Sequence, residues 1–258
     1  NASKHREMGL SAMLIVEESQ PMPYQDIAMI FDDWSLLESG AIEGDFNSLD
    51  RAAGDGRLGN WFTVNGQHKP RISLDPEKPA RLRLLNVANT RSMNVLFKGA
   101  EGSVIALDGQ PVTPTPLGLQ ALQLEPGQRA DVLLLDAQEQ VVVALDLFED
   151  VVETAFIMAE GYGRKTLPLN MALPANPISA PPTTPPREIR IAIEGGIKGG
   201  LMKANVGKDV LDLRAMLEQG LAWSIGGSAG LGSPPLFTAQ KGELLLLHFE
   251  NQTAFEQV

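Results

Sequence analysis

From Trp61 to Ala159 the sequence alternates short runs rich in Val, Ile and Leu with turn-forming residues, a rhythm that leaves little room for helices. The runs are Trp61–Val64, Arg71–Leu74, Arg81–Leu85, Met93–Phe97, Ser103–Leu107, Ala121–Leu124, Ala130–Leu135, Val141–Leu147 and Ala155–Ala159. Asn65-Gly66 and Asp108-Gly109 favour the positive φ angles that tight hairpins require. Arg81-Leu82-Arg83-Leu84-Leu85 alternates with period two, so one face of that strand is polar and the other buried. Roughly nine strands in the stretch of about 140 residues from Tyr24 to Tyr162 predict an all-β Greek-key sandwich or barrel.

Composition excludes several functions. A net charge of -11 disfavours a nucleic-acid surface, which needs clustered Lys and Arg to displace counterions, and equally disfavours an anionic membrane. No apolar run approaches the roughly 20 residues of a membrane span, and no charged-then-apolar leader is present. The chain of 258 residues has room for one large or two modest domains. It opens at Asn1 directly into what reads as the end of a domain, and is expected to be part of a longer product. Without Cys there is no disulfide, thiolate metal ligand or thiol nucleophile.

Outside the central run, Gly9 to Glu18 predicts a turn and then an apolar strand, and Gln25 to Trp34 a second strand. Glu38 to Gly59 is polar and Gly-bearing and predicts a long, mobile loop. Pro168, Pro174, Pro177, Pro181, Pro182, Pro185 and Pro186 mark a semi-rigid linker between Leu167 and Arg187. Beyond it, Glu188–Glu194, Leu221–Ile225 and Glu243–Phe249 predict strands, too few to close a sheet alone. The spacing of Val210, Leu211, Leu213, Met216 and Leu217 predicts a short helix over Asp209–Gln219.

Several segments, in order, resemble bacterial three-domain multicopper oxidases, the laccase-like cupredoxin enzymes. Gly9-Leu10-Ser11-Ala12-Met13-Leu14-Ile15-Val16 is similar to the segment that follows the His-x-His ligands of their first domain, with Ala12 where Gly is usual. The middle domain is matched by Phe31-Asp32-Asp33-Trp34, Phe62-Thr63-Val64-Asn65-Gly66, Arg81 to Asn86 with Arg91, and Leu107-Asp108-Gly109-Gln110-Pro111. Its most specific motif is Leu124-Glu125-Pro126-Gly127-Gln128-Arg129-Ala130-Asp131-Val132. The third-domain entry is matched by Trp223-Ser224-Ile225-Gly226-Gly227, with Gly226 where Asn is usual, then Pro235-Leu236-Phe237-Thr238 and Lys241-Gly242-Glu243. Asn251-Gln252-Thr253-Ala254-Phe255 resembles the approach to the His-Pro-x-His-x-His-Gly ligand run.

The resemblance implies one complete cupredoxin-like Greek-key domain with parts of two others. Residues 1–23 would end the first domain, 24–163 form the second, 164–187 link, and 188–258 begin the third. It implies oxidation of phenols or metal ions, one electron at a time, coupled to reduction of dioxygen to water, in a periplasmic or extracellular protein. Copper would serve the parent protein, but this chain offers no catalytic, cofactor-binding or metal-binding residue: His5, His68 and His248 stand singly, and the thiolate is missing. The expected first ligand of the mononuclear site falls on Gln257, followed by Val258 where Pro is usual. The alternative is a copper-free cupredoxin scaffold that binds a protein partner. The Gly226 to Gly232 stretch lacks the Gly-Lys-Ser/Thr of a phosphate loop. The acid pairs Glu17-Glu18, Asp32-Asp33 and Glu149-Asp150 read as solvated edges, because adjacent strand residues face opposite ways.

Overall fold

The computed structural model describes residues 2–17, 22–46, 48–118, 120–165, 173–177 and 183–255. It divides into two compact units, Asn1–Glu43 with Leu58–Pro177, and Gly44–Arg57 with Ile178–Val258. The first holds α1 (Ala2–Glu7), β1 (Gln25–Trp34), β2 (Trp61–Val64), β3 (Arg71–Ser73), β4 (Ala80–Asn86), β5 (Met93–Leu107), β6 (Gln110–Pro116), β7 (Leu122–Leu124), β8 (Arg129–Asp146) and β9 (Val151–Met158). The second holds α2 (Leu49–Ala53), β10 (Arg187–Gly195), β11 (Lys203–Val206), β12 (Asp209–Asp212), α3 (Leu213–Glu218), β13 (Trp223–Ile225), β14 (Ser228–Ala229) and β15 (Leu245–Asn251).

In the first unit β5 and β8, of 15 and 18 residues, each absorb two of the runs expected as separate strands. Register shifts between Lys98 and Ala100, Glu101 and Gly102, and Val104 and Ala106 let β5 bend, and Gly99 takes φ +92° at the first of them. The bend lets both strands serve two layers. One layer runs β2-β1-β4-β8-β5-β6, using Arg129–Leu134 of β8. The other runs β7-β5-β8-β9-β3, using Gln140–Asp146 of β8. Between them lie Met29, Phe31, Val64, Leu82, Leu84, Val132 and Leu134 from the first layer, and Met93, Val95, Leu124, Val143, Leu145 and Ile157 from the second. Each of these side chains contributes about 1.5–3 kcal/mol by leaving water. Tyr162, 1% exposed, accepts a hydrogen bond from Ala80 N at 2.8 Å and donates one to Leu134 O at 3.1 Å, closing the core. The alternation that predicted a sandwich is therefore the inward-outward alternation of a real two-layer core.

Four local expectations change. Residues 10–17 form no strand, since the segment has no ladder partner among the described residues, and α1 precedes it. The expected mobile loop carries α2, whose start is capped by Ser48 Oγ accepting from Arg51 N at 3.4 Å. Five helical residues are too few to show a periodic apolar face. The predicted helix over Asp209–Gln219 begins only at Leu213, because Asp212 Oδ1 accepts from Ala215 N at 2.9 Å while residues 209–212 pair with β11. The second unit, expected to have too few strands to close a sheet alone, forms a six-stranded sheet in the order β12-β11-β14-β13-β10-β15. β6 also escaped sequence reading because Pro111, Pro114 and Pro116 mask a strand that survives only at a sheet edge. The Pro-rich linker falls largely on residues 166–172 and 178–182, outside the described residues.

In the second unit Leu201, Ala204, Met216 and Ala229 make a small core. α2 is held there by Trp223 Nε1 donating to Ala52 O at 2.5 Å and Ile197 N donating to Ala53 O at 2.6 Å.

Candidate functional site

The sequence motifs converge on three hydrogen-bonded assemblies. The most specific motif builds a turn and an ion-pair ladder. Glu125 accepts from Ser92 Oγ and, at 2.6 Å, from Gln123 Nε2, while Gln128 Oε1 accepts from Glu125 N at 2.9 Å around Gly127 at φ +89°. Asp131 accepts from Arg81 Nε at 3.0 Å and Nη2 at 2.6 Å, and Arg83 Nη1 stands 3.7 Å from the same oxygen. Arg83 in turn makes a two-pronged pair with Asp26, at 3.1 and 3.0 Å. The four charges occupy the same outer face of β1, β4 and β8, which the register Asp26↔Arg81 and Arg83↔Asp131 requires. Arg129 binds loop backbone, donating to Asp108 O at 2.8 Å. Asn86 spans the same region, donating to Arg91 O and Leu124 O at 2.8 Å each.

The second assembly is a buried carboxylate cluster at the end of β1. Asp33, 3% exposed, accepts from Gly59 N at 2.6 Å and Arg91 Nε at 2.7 Å, and its other oxygen has no hydrogen-bond partner. Glu7 of α1 accepts from Ser35 N at 3.0 Å and Asn89 Nδ2 at 2.6 Å, and Arg6 donates to Ala88 O at 3.2 Å. These bonds dock α1 on the sheet. Burial pushes the Asp32 carboxyl up to about 7, helped by the negative Asp33 and Glu7 and opposed by the Asp33 backbone N–H and Arg6. Burial also raises Asp33, against the hydrogen bonds from Arg91 and Gly59. Asp32-Asp33 is thus a correction to the solvated-edge reading: the two residues do face opposite ways, but the chain packs α1 and Gly59 over them. Gly59 is required there, since a Cβ would stand 2.5 Å from Trp34 N. Chemically the cluster can hold a proton near neutral pH. Its signal in the sequence was Phe-Asp-Asp-Trp itself, two acids inside an apolar strand.

The third assembly ends β15. Asn251 Oδ1 accepts from Thr253 N at 2.9 Å and Oγ1 at 2.7 Å, and Asn251 Nδ2 donates to Phe255 O at 2.8 Å. The Phe255 ring meets Trp223 edge-on at 5.5 Å. Asn-x-Thr-Ala-Phe is therefore a locked turn, and Gln257 and Val258 lie outside the described residues.

The histidines do not meet. His5 is exposed on α1, and His68 stacks on Trp61 with ring centroids 4.1 Å apart. On β15, His248 Nε2 lies 3.4 Å from Glu188 Oε2 without hydrogen-bond alignment. Among the described residues no group of three His, Cys, Asp or Glu could hold a metal ion. No helix among them is long and apolar enough to cross a membrane.

The family model described as multicopper oxidase matches residues 29–154. Over that segment the chain is similar to the multicopper oxidases. Among solved multicopper oxidases, that of Pseudomonas Thermotolerans shares 28% identity at a TM-score of 0.59, covering 70% of this chain and 43% of its own. The enzyme from Pseudomonas Parafulva shares 30% at 0.55, covering 68% and 43%. The all-β, cupredoxin-like fold is theirs. Among curated relatives, cell division protein FtsP of Xenorhabdus nematophila is 32% identical over 141 residues, 51% of this chain and 28% of the relative. FtsP of Edwardsiella tarda is 33% identical over 135 residues, 49% and 27%. The matched stretch thus spans less than a third of those relatives' length. Multicopper oxidases use copper, held by imidazole and thiolate, and the donors present here do not fit it: the chain has no Cys, and its three His stand apart.

Proposed function

We propose that this chain is the central, ligand-free portion of a multicopper oxidase. Residues 1–23 end a first cupredoxin domain, 24–163 form the second, 164–187 link, and 188–258 begin the third. The parent couples one-electron oxidation of a phenol or metal ion to reduction of dioxygen to water, outside the cytoplasm, with copper gripped by residues other than these. The observation that supports this reading is the likeness to solved oxidases, at 28–30% identity over about 70% of the chain. The chain's own contribution is positional. The Glu7 and Arg6 bonds fix α1, which follows the place where the resemblance puts the first ligand pair, and the Asn251 turn fixes the exit of β15 toward the second.

A second reading, a copper-free scaffold that binds a protein, is favoured by Gln257 at the expected ligand position and by curated relatives named as cell division proteins. The experiment is metal analysis of the complete protein after copper loading, with the visible thiolate-to-copper absorption band and dioxygen uptake in the presence of a phenol. Bound copper, the band and uptake together uphold the oxidase. A protein that folds yet takes up neither copper nor dioxygen refutes it in favour of the scaffold.

A further inference from the structure

Phe148, at the tip of the β8–β9 hairpin, is 93% exposed and holds φ at +68°. Glu149 N donates to Leu147 O at 2.9 Å, so the phenylalanine is the central residue of a three-residue turn with positive φ, a rare and strained form. Glycine would fit this backbone without strain, and a polar residue would suit the solvent. Phe148 therefore stabilises neither the turn nor the core. The turn is nonetheless rigid: Asp146 Oδ1 accepts from Phe148 N at 3.0 Å, Leu147 N donates to Asp150 O at 2.8 Å, and the Leu147 side chain packs against the core. An aromatic ring is thus presented on a preorganised base, beside half-exposed Val151 and the carboxylates of Asp146, Glu149 and Asp150.

We propose that the Phe148 tip is a docking anchor for a partner protein, inserting its ring into an apolar pocket rimmed by Lys or Arg. Charge selects that occupant. The acids of the hairpin tip, Asp146, Glu149 and Asp150, repel an anionic membrane surface, and a second copy of a chain with net charge -11 would add like charge. The anchor is independent of whether the parent binds copper.

The test is selection of randomised displayed peptides on the complete protein, with Phe148→Gly as the counter-selection target. The expected result is enrichment of peptides that combine apolar residues with Lys or Arg, whose binding weakens about thirtyfold on Phe148→Gly. Binding should also weaken on Glu149→Lys with Asp150→Lys. Because glycine relieves the strain, the melting temperature of Phe148→Gly should hold or rise, separating loss of binding from loss of fold. Failure to enrich any peptide, enrichment without basic residues, or equal binding to Phe148→Gly would each overturn the proposal.

Discussion

Replacing Asp131 by leucine tests whether the charge ladder of β1, β4 and β8 is a closed unit. The Asp131 side chain is buried with Arg81 beside half-buried Arg83, and one of its oxygens serves both guanidinium groups. Asp131→Leu removes the buried carboxylate that both cations share, and Asp26, which also pairs with each, is more exposed. Breaking a buried pair in this way costs about 3–5 kcal/mol, because an uncompensated charge stays behind. At a urea slope of about 2 kcal/mol/M, the unfolding midpoint of the first unit should fall by about 1.5–2.5 M. A Trp223→Phe background leaves Trp34 and Trp61, both in the first unit, as fluorescence reporters. The double change Arg81→Met with Asp131→Leu removes the stranded charge, while Arg83 keeps its two-pronged bond to Asp26. Its midpoint should return to within about 0.5 M of the parent, since an apolar pair of similar volume replaces a buried ion pair at a loss of about 1 kcal/mol or less. A single mutant with an unchanged midpoint, or a double mutant as unstable as the two single changes added, would refute the ladder argument.

Two further outcomes are expected. Asp32 binds its proton more tightly in the folded state than in the unfolded one, so its contribution to stability is full below the unfolded value near 4 and is lost as pH rises toward 7. The unfolding free energy from urea titrations should therefore fall across that window, by a few kcal/mol at most, and Asp32→Asn should flatten the slope; an unchanged slope would remove Asp32 as its cause. At Gly196, φ is +78° and a Cβ would stand 2.7 Å from both the Phe255 and Trp223 rings, so Gly196→Ala should loosen the locked turn after β15. Faster hydrogen exchange at Thr253 and Phe255, with the first unit unchanged, is the expected readout, and unaltered exchange counts against the packing described.

What could be read in the sequence was whatever a residue says about its immediate neighbours. Asn65-Gly66 and Asp108-Gly109 announced their turns because positive φ is a local demand, met here at 53° and 72°, and at 48° and 77°. Arg81 to Leu85 announced its two faces because side chains alternate along any strand. The partners were not legible. Asp131 stands two residues from Arg129, yet it binds Arg81 and Arg83, because strand register sets which charges face one another. The same limit explains Asp32-Asp33: alternation gave two opposite faces, but not that α1 and Gly59 would cover them and make a proton site. It also explains α2, five residues inside what looked like a loop of the first unit, which belong to the second. The second unit carries the argument one step further. Ile189, Ile191 and Ile193 of β10 share a face with Leu247 and Phe249 of β15 and Ile225 of β13, and Phe249 on that face is 61% exposed. Ile191 on the same face is buried, so the face is covered only in part, and a sheet of this kind needs a second layer over its apolar side. The apolar content of these strands was plain in the sequence, whereas what covers them depends on contacts that no single strand encodes.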